Sequence, residues 1–319
     1  MHIYPLLFKP ILKERIWGGS QLKTLFDKPL ASDKTGESWE LSTVGNDQSI
    51  ISNGIYSDKT FSWLLNQFPQ EILGEKVYKQ FGTQFPLLFK FIDACEDLSI
   101  QVHPNDELAQ KRHNCFGKTE MWYIIKADKG ARNIIGFKEK ISPEEYLQKL
   151  NDKDLLSILK EEKVHKGDVF FLETGTVHAI GKGIILAEIQ QTSDITYRIY
   201  DWERTDAHGN PRELHLDLAL EAINYYPTST RLHYSKTENL SNAIIQSNYF
   251  STSFIPLNGK IQMQKNKESF HVYMCTEGQF SVLYGNEKYN FKNGDTVLIP
   301  AVMNEYTLEG NAELLEVHV

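Results

Sequence analysis

The sequence predicts a mainly β protein built of two β-barrel or jelly-roll modules with helical insertions. Three observations carry this. Several short runs alternate apolar and polar residues with period two, as in Leu98-Ser99-Ile100-Gln101-Val102 and Glu37 to Val44. Others are almost wholly apolar and follow Pro or Gly, as in the stretch after Pro86 to Cys95 and in Phe170-Phe171-Leu172. A Gly-Asp turn leading into such a run occurs twice, at Gly167-Asp168 and at Gly294-Asp295, which marks an internal repeat. A chain of 319 residues is too long for one minimal barrel and suits two modules. We place the first at 1–235, with helical insertions at about 60–80, 142–163 and 211–225, and the second at 236–319.

Taken in order, the chain begins with a short extended run and a turn at Gly18-Gly19, and residues 20–28 can form one short helix. In the strand from Glu37 to Val44, Trp39 and Leu41 share one side, and Trp39 is read as core packing ahead of a sugar-pocket wall. Phe61, Leu64, Leu65 and Phe68 recur at helical spacing, and Pro69 splits that stretch in two. Pro104 ends the strand that carries Gln101 and His103. Ser142-Pro143-Glu144-Glu145 is a helix start, with a cap, a proline at the first helical position and acids in the first turn. The charged, amphipathic stretch from there to Lys163 reads as a helix pair. Pro211 to Tyr225 reads as another helix, with Leu214, Leu218 and Ile223 as core candidates.

Net charge is −8, and no Lys/Arg run opposes it, so nucleic acid is not the expected partner. Three widely spaced cysteines, Cys95, Cys115 and Cys275, give neither a disulfide framework nor a C-x-x-C motif. A reducing, cytoplasmic compartment is the expectation. No leader pattern and no apolar window of about 20 residues is seen, so no membrane partner is expected either, and no obligatory protein partner is evident.

The chemistry is concentrated in four side chains. Gln101 and His103 fall on one face of one strand, Glu120 opens the next, and Gly175-Thr176-Val177-His178 presents a second histidine. Two ring nitrogens, a carboxylate and an amide oxygen on neighbouring strands can close around one divalent metal. A thiol ligand from Cys115 is the less favoured addition. In the second module the position matching His178 holds Met303-Asn304, and only His271 lies near a ligand position, so that module is expected to have lost its metal.

The segments Ile100-Gln101-Val102-His103-Pro104, Gly117-Lys118-Thr119-Glu120-Met121-Trp122, Asp194 to Trp202 and Gly36 to Ser42 resemble the type I mannose-6-phosphate isomerases of the cupin superfamily, in their short bacterial form. The resemblance spans nearly the whole chain in the right order. It implies a cupin fold, one zinc per chain, and interconversion of mannose 6-phosphate and fructose 6-phosphate through a cis-enediol. Under that implication Arg198 stabilises the oxygens that gain charge and can meet the phosphate; the competing structural reading is a buried arginine paired with Asp194 or Asp201. Glu188 is the candidate proton base. Lys118 and Ser99, each two residues before a ligand, are candidates for phosphate binding, and Lys118 also for proton transfer. The alternative is a non-catalytic, metal-containing sugar-phosphate-binding or regulatory cupin; an iron dioxygenase is disfavoured by Gln101 and by the Lys/Arg pair.

Overall fold

The computed structural model describes every residue except 1, 31 and 206–208. Two sheets face each other in the first half. One has seven strands in the order Arg231–Leu232, Val169–Leu172, Glu120–Ala127, Ile184–Gln191, Leu87–Ala94, Thr35–Leu41, Ile11–Gly19. The other has five, in the order Leu159–Lys163, Arg132–Phe137, His178–Ala179, Ile100–Val102, Tyr197–Tyr200. Trp122, Ile124 and Leu186 from the first sheet meet Ile135 and Ile180 from the second side in one buried cluster. The module is thus an open two-sheet jelly roll, and the alternative of a closed barrel is not what forms.

The apolar runs have a simple cause. Leu87–Ala94 and Ile184–Gln191 are buried along their whole length, because the outer face of their sheet is covered too. Phe89, Phe91, Met121 and Ile189 pack there against the helices near Phe61 and Leu64 and against Phe254, Phe270 and Val317 of the second module. A strand buried on both faces loses its alternation.

The second module has an eight-stranded sheet dominated by Ser251–Gln264, His271–Tyr284 and Glu305–His318. Leu6–Lys9 and Ile50–Ile51, from the first stretch of the chain, complete it by pairing with Thr296–Ile299 and with each other. The repeat is visible atom by atom. The Ile124 N–H donates to Asp168 O at 2.9 Å and the Cys275 N–H to Asp295 O at 2.9 Å; Gly167 N–H donates to Ile124 O and Gly294 N–H to Cys275 O, both at 2.8 Å. Counting back four residues puts His271 where the first module has Glu120. His271 Nδ1 lies 3.0 Å from Glu316 Oε1, and Tyr273 donates to the same oxygen at 2.8 Å.

Burial would raise the Glu316 carboxyl, but the bonds from His271, Ser241 and Tyr273 outweigh it and hold the group down to about 2. A carboxylate depressed below its ordinary value of 4.5 stabilises the fold above pH 4.5 and loses that contribution as pH falls toward 2. That separation is worth up to about 3 kcal/mol. Urea unfolding is expected to place Glu316→Gln a constant margin below the parent from pH 7 to 5. The margin should narrow below 4.5; one that stays constant to pH 3 would refute the account.

Three helical expectations are adjusted. The first insertion forms three short helices, Phe61–Gln67, Pro69–Leu73 and Glu75–Phe81, rather than two. Gly74 separates the last two at φ 92°, where a Cβ would meet Glu268 O at 2.3 Å. Within 142–163 only Pro143–Asn151 is an α-helix, capped by Ser142, and Leu159–Lys163 is an edge strand on Arg132–Phe137. Its charges suit a sheet edge, and a charged amphipathic stretch is ambiguous until its partner is known. In the third insertion only Leu216–Ala222 is helical. Residues 211–215 precede the helix without being helical, and they are tied to the strand of Arg198: the His215 N–H donates to Arg198 O and the Arg198 N–H to His215 Nδ1. Leu214 is consequently 42% exposed, while Ile223 is buried.

Candidate active site

The five-stranded sheet brings three of the four candidate ligands into line. His178 stands opposite Gln101 in register, and His103 follows the strand that carries Gln101. Gly175, at φ 86°, makes the bend before His178, and its N–H donates to His103 O at 3.0 Å. A Cβ there would lie 2.8 Å from Ala222 O, so the bend that aims one histidine is locked to the other. Glu120 comes from the facing sheet as the first residue of its strand, paired with Leu172 and Gln190.

Among the described residues, His103, Glu120 and His178 form the one group of three whose ligand atoms all lie within 4.8 Å of one another. His103 Nδ1 is 2.8 Å from Ile195 O and His178 Nδ1 is 2.8 Å from Thr176 O. A carbonyl only accepts, so both Nδ1 atoms carry the proton and both Nε2 lone pairs face the cluster. His178 Nε2 then meets Glu120 Oε1 at 3.3 Å with no ring proton between them, and that carboxyl oxygen is buried without a hydrogen-bond partner. Two converging lone pairs in a dry cavity are costly unless a cation sits between them. The donor set therefore fits a divalent metal. Gln101 reaches His178 Nε2 through its amide at 3.3 Å, and a flip of that amide presents its oxygen instead. Cys115 stands apart from the cluster, with its thiol on Phe116 O.

Electrostatics keep both imidazoles in ligand form. Burial, reinforced by Lys118, pushes His103 well below the ordinary imidazole value and His178 down to about 4. Burial lifts the Glu120 carboxyl to about 7 despite Lys118. Lys118 Nζ donates to Glu120 Oε2 at 2.7 Å and sits 3.0 Å from His103 Nε2. Burial pulls its ammonium down, but Glu120 and Glu188 outweigh that and hold it charged.

The cluster lies beside a cavity of ≈530 Å³ walled by Trp17, Trp39, Leu98 and Ile180 and rich in charge. Trp39 serves as both core and wall: it is buried, with Lys13 and Lys90 Nζ 4.9 and 5.1 Å from its ring. Glu188 lines this cavity as expected, but it is not a free base. One of its oxygens accepts from Lys90 Nζ at 2.8 Å and the other from Trp122 Nε1 at 2.9 Å. Burial alone would raise it, yet Lys90 and Lys118 outweigh burial and hold it at about 2. A carboxylate so engaged is poorly matched to collecting a proton from carbon. It suits anchoring Lys90, which sequence reasoning passed over although a lone lysine inside Leu87-Leu88-Phe89-Lys90-Phe91-Ile92 was its signal. With Lys90 5% and Glu188 3% exposed, Glu188→Gln strands a buried ammonium. Urea unfolding is expected to show a loss of about 3 kcal/mol; a change below about 1 kcal/mol would return Glu188 to the list of free bases.

Arg198 also lines the cavity, but its expected carboxylate partner is absent among the described residues. Its Nη1 donates to Glu213 O at 2.8 Å and its Nε is buried without a partner. Of the two anticipated partners, Asp201 is taken by Arg204 and Arg212, and Asp194 lines the cavity without an ion pair to Arg198. Ser99 lines the cavity two residues before Gln101.

Family models match two stretches: phosphomannose isomerase type I, catalytic domain, over residues 6–131, and mannose-6-phosphate isomerase, cupin domain, over residues 240–319. The chain is 40% identical over 319 residues to mannose-6-phosphate isomerase ManA of Bacillus subtilis, covering 99% of both. The chain belongs to the type I phosphomannose isomerase family. Its relatives include the mannose-6-phosphate isomerase of Streptococcus mutans, 33% identical and covering 98% of each chain. The crystal structure of the mannose 6-phosphate isomerase from Bacillus subtilis superposes with a TM-score of 0.90 at 34% identity, over 99% of both chains. The apo enzyme from Salmonella typhimurium shares the fold, with a TM-score of 0.77 at 17% identity over 100% of this chain and 99% of that one. For a phosphomannose isomerase family member the cupin fold and the His-Glu-His cluster agree with what the sequence implies. No helix is long and apolar enough to cross a membrane among the described residues.

Proposed function

We propose that this chain is a metal-dependent aldose–ketose isomerase that interconverts mannose 6-phosphate and fructose 6-phosphate. The observation that carries the reading is the pair of Nε2 lone pairs converging with an unpartnered Glu120 oxygen beside a charged, sugar-sized cavity. His103, Glu120, His178 and Gln101 would hold one zinc ion per chain. Three unpaired cysteines, one of them exposed, support a reducing cytoplasm as the setting.

Bound there, the metal would polarise the sugar carbonyl and favour ionisation of the neighbouring hydroxyl without redox change. The chain's own groups do the rest. Arg198 stands opposite Gln101 in register, so its guanidinium, without a carboxylate among the described residues, is placed to meet the oxygens that carry negative charge in a cis-enediolate. Lys118 stays charged beside Glu120, where it hydrogen-bonds a substrate oxygen and can pass it a proton; its engagement there leaves it ill placed for the phosphate. Glu188 fixes Lys90 against the cavity wall. The second module, with His271 tied to Glu316, supports the first structurally.

A coupled assay tests the reading. Isomerisation of mannose 6-phosphate should vanish after chelation and return with zinc, and elemental analysis of the unchelated protein should find about one zinc per chain. A fully zinc-loaded protein without turnover would overturn the enzyme and favour a sugar-phosphate-binding cupin.

A further inference from the structure

The cations around the cavity are nearly all neutralised in place. Lys13 pairs with Asp47, Arg15 with Glu37, Lys90 with Glu188 and Lys118 with Glu120. The exception is one end, where three guanidiniums gather. Arg204 and Arg212 share the single carboxylate of Asp201: Arg212 binds it through Nε at 2.6 Å and Nη2 at 2.5 Å, and Arg204 through Nη2 at 2.5 Å. Arg198 has no carboxylate partner among the described residues, and burial with the charge of Arg212 presses on its guanidinium. Among the described residues three guanidiniums thus gather around the one carboxylate they bind, with Asp194 on the cavity wall and the Glu213 carboxylate near Arg198 offsetting part of their charge. A cationic end of this kind suits a phosphate monoester, which carries about −1.5 to −2 at neutral pH.

The position is set by the backbone. Tyr200 is opposite Ile100, so Asp201, and with it Arg212, stands at the Ser99 end of the strand that carries Gln101. Ser99 lies two extended residues from Gln101, roughly 6.5 Å away. That is of the order of the distance between C2 and the phosphorus of a hexose 6-phosphate. Arg204 also donates to Asp97 O at 2.6 Å, so it works as a staple and is not among the residues lining the cavity. Arg212 does line it, with Nη1 uncommitted to Asp201. Its segment, residues 211–215, also holds Arg198 through Glu213 O and His215.

We propose that Arg212, oriented by Asp201 and set beside Ser99, binds the 6-phosphate of the substrate, leaving Arg198 for the reacting end. This rests on the isomerase reading above. It makes the Asp201–Arg204 pair a positioning device: it fixes Arg212 without neutralising the site. It also makes residues 211–215 the segment by which the protein distinguishes phosphorylated from free sugar.

The test uses zinc-loaded parent, Arg212→Met and Arg212→Lys. It reads kcat, KM for mannose 6-phosphate, and Ki for inorganic phosphate as a competitive inhibitor. Loss of one charge-assisted, forked contact should raise KM and Ki together by about 10- to 100-fold in Arg212→Met, with kcat changed far less. A merely structural role would not move Ki for phosphate in step with KM. Unchanged Ki, or a fall in kcat at constant KM, overturns the assignment. Should the methionine variant not fold, the lysine variant decides: it cannot grip Asp201 and phosphate with one fork, so Ki should still rise several-fold, and an unchanged Ki refutes the proposal. If the parent itself does not isomerise, the isomerase reading fails. Calorimetric binding of inorganic phosphate to parent and Arg212→Met then still decides on Arg212.

Discussion

Replacing His178 with alanine is expected to lower kcat/KM for mannose 6-phosphate by at least about 1,000-fold at limiting zinc. The argument starts from the orientation of the ring. The Thr176 carbonyl accepts from Nδ1–H and leaves Nε2 as a lone pair 3.3 Å from Glu120 Oε1 and 3.3 Å from the Gln101 amide. Removing one ligand from a site of this kind costs about 3 kcal/mol of metal binding, or roughly 100-fold in affinity, if the usual total is shared among four donors. Loss of the geometry at the remaining ion supplies a further factor of about ten or more. A separate readout needs no turnover. Zinc at 1,000 times its Kd should stabilise the parent by about 4 kcal/mol, and most of this should disappear in the variant. Since burial keeps His178 neutral, its removal strands no charge, and the zinc-free proteins should differ only by the packing lost against Trp122 and the ring's bonds to Thr176 O and Gln101. A zinc-induced shift of full size in His178→Ala would exclude this residue as a ligand.

Arg198→Ala should reduce kcat by about 100- to 1,000-fold while bound zinc stays at the parent level. The magnitude is that of deleting one donor aimed at developing oxyanion charge, about 2.7–4 kcal/mol. The structural loss is small by comparison, one side-chain bond to Glu213 O, while the backbone bonds to His215 remain. Stability should therefore change little even as turnover collapses. Lysine at 198 is expected to recover only part of the rate, because a point charge does not reproduce two directed N–H donors. Near-parental kcat with full zinc occupancy would remove Arg198 from the reaction.

Much of this protein was legible before any coordinates. The alternation through Leu98 to Val102, the Glu that opens the following strand and the glycine before His178 located the three clustered donors. Period and turn chemistry are local properties that survive in a linear string. The Gly-Asp repeat was legible for the same reason: each glycine is needed for one positive-φ turn, at 84° in Gly167 and 85° in Gly294. The tertiary structure decided what depends on partners. Leu159–Lys163 is a strand only because Arg132–Phe137 lies beside it, and residues 211–215 stay outside the helix where the His215 N–H bonds Arg198 O and the His215 ring accepts from the Arg198 N–H. Glu188 changed from prospective base to anchor because Lys90, 98 positions earlier in the chain, takes one of its oxygens in the fold. Charge is likewise settled at a distance. The sequence counts arginines and carboxylates, but only the fold assigns Asp201 to Arg204 and Arg212 and leaves Arg198 without a carboxylate among the described residues, since an ion pair is fixed by a few ångströms of space and not by separation along the chain.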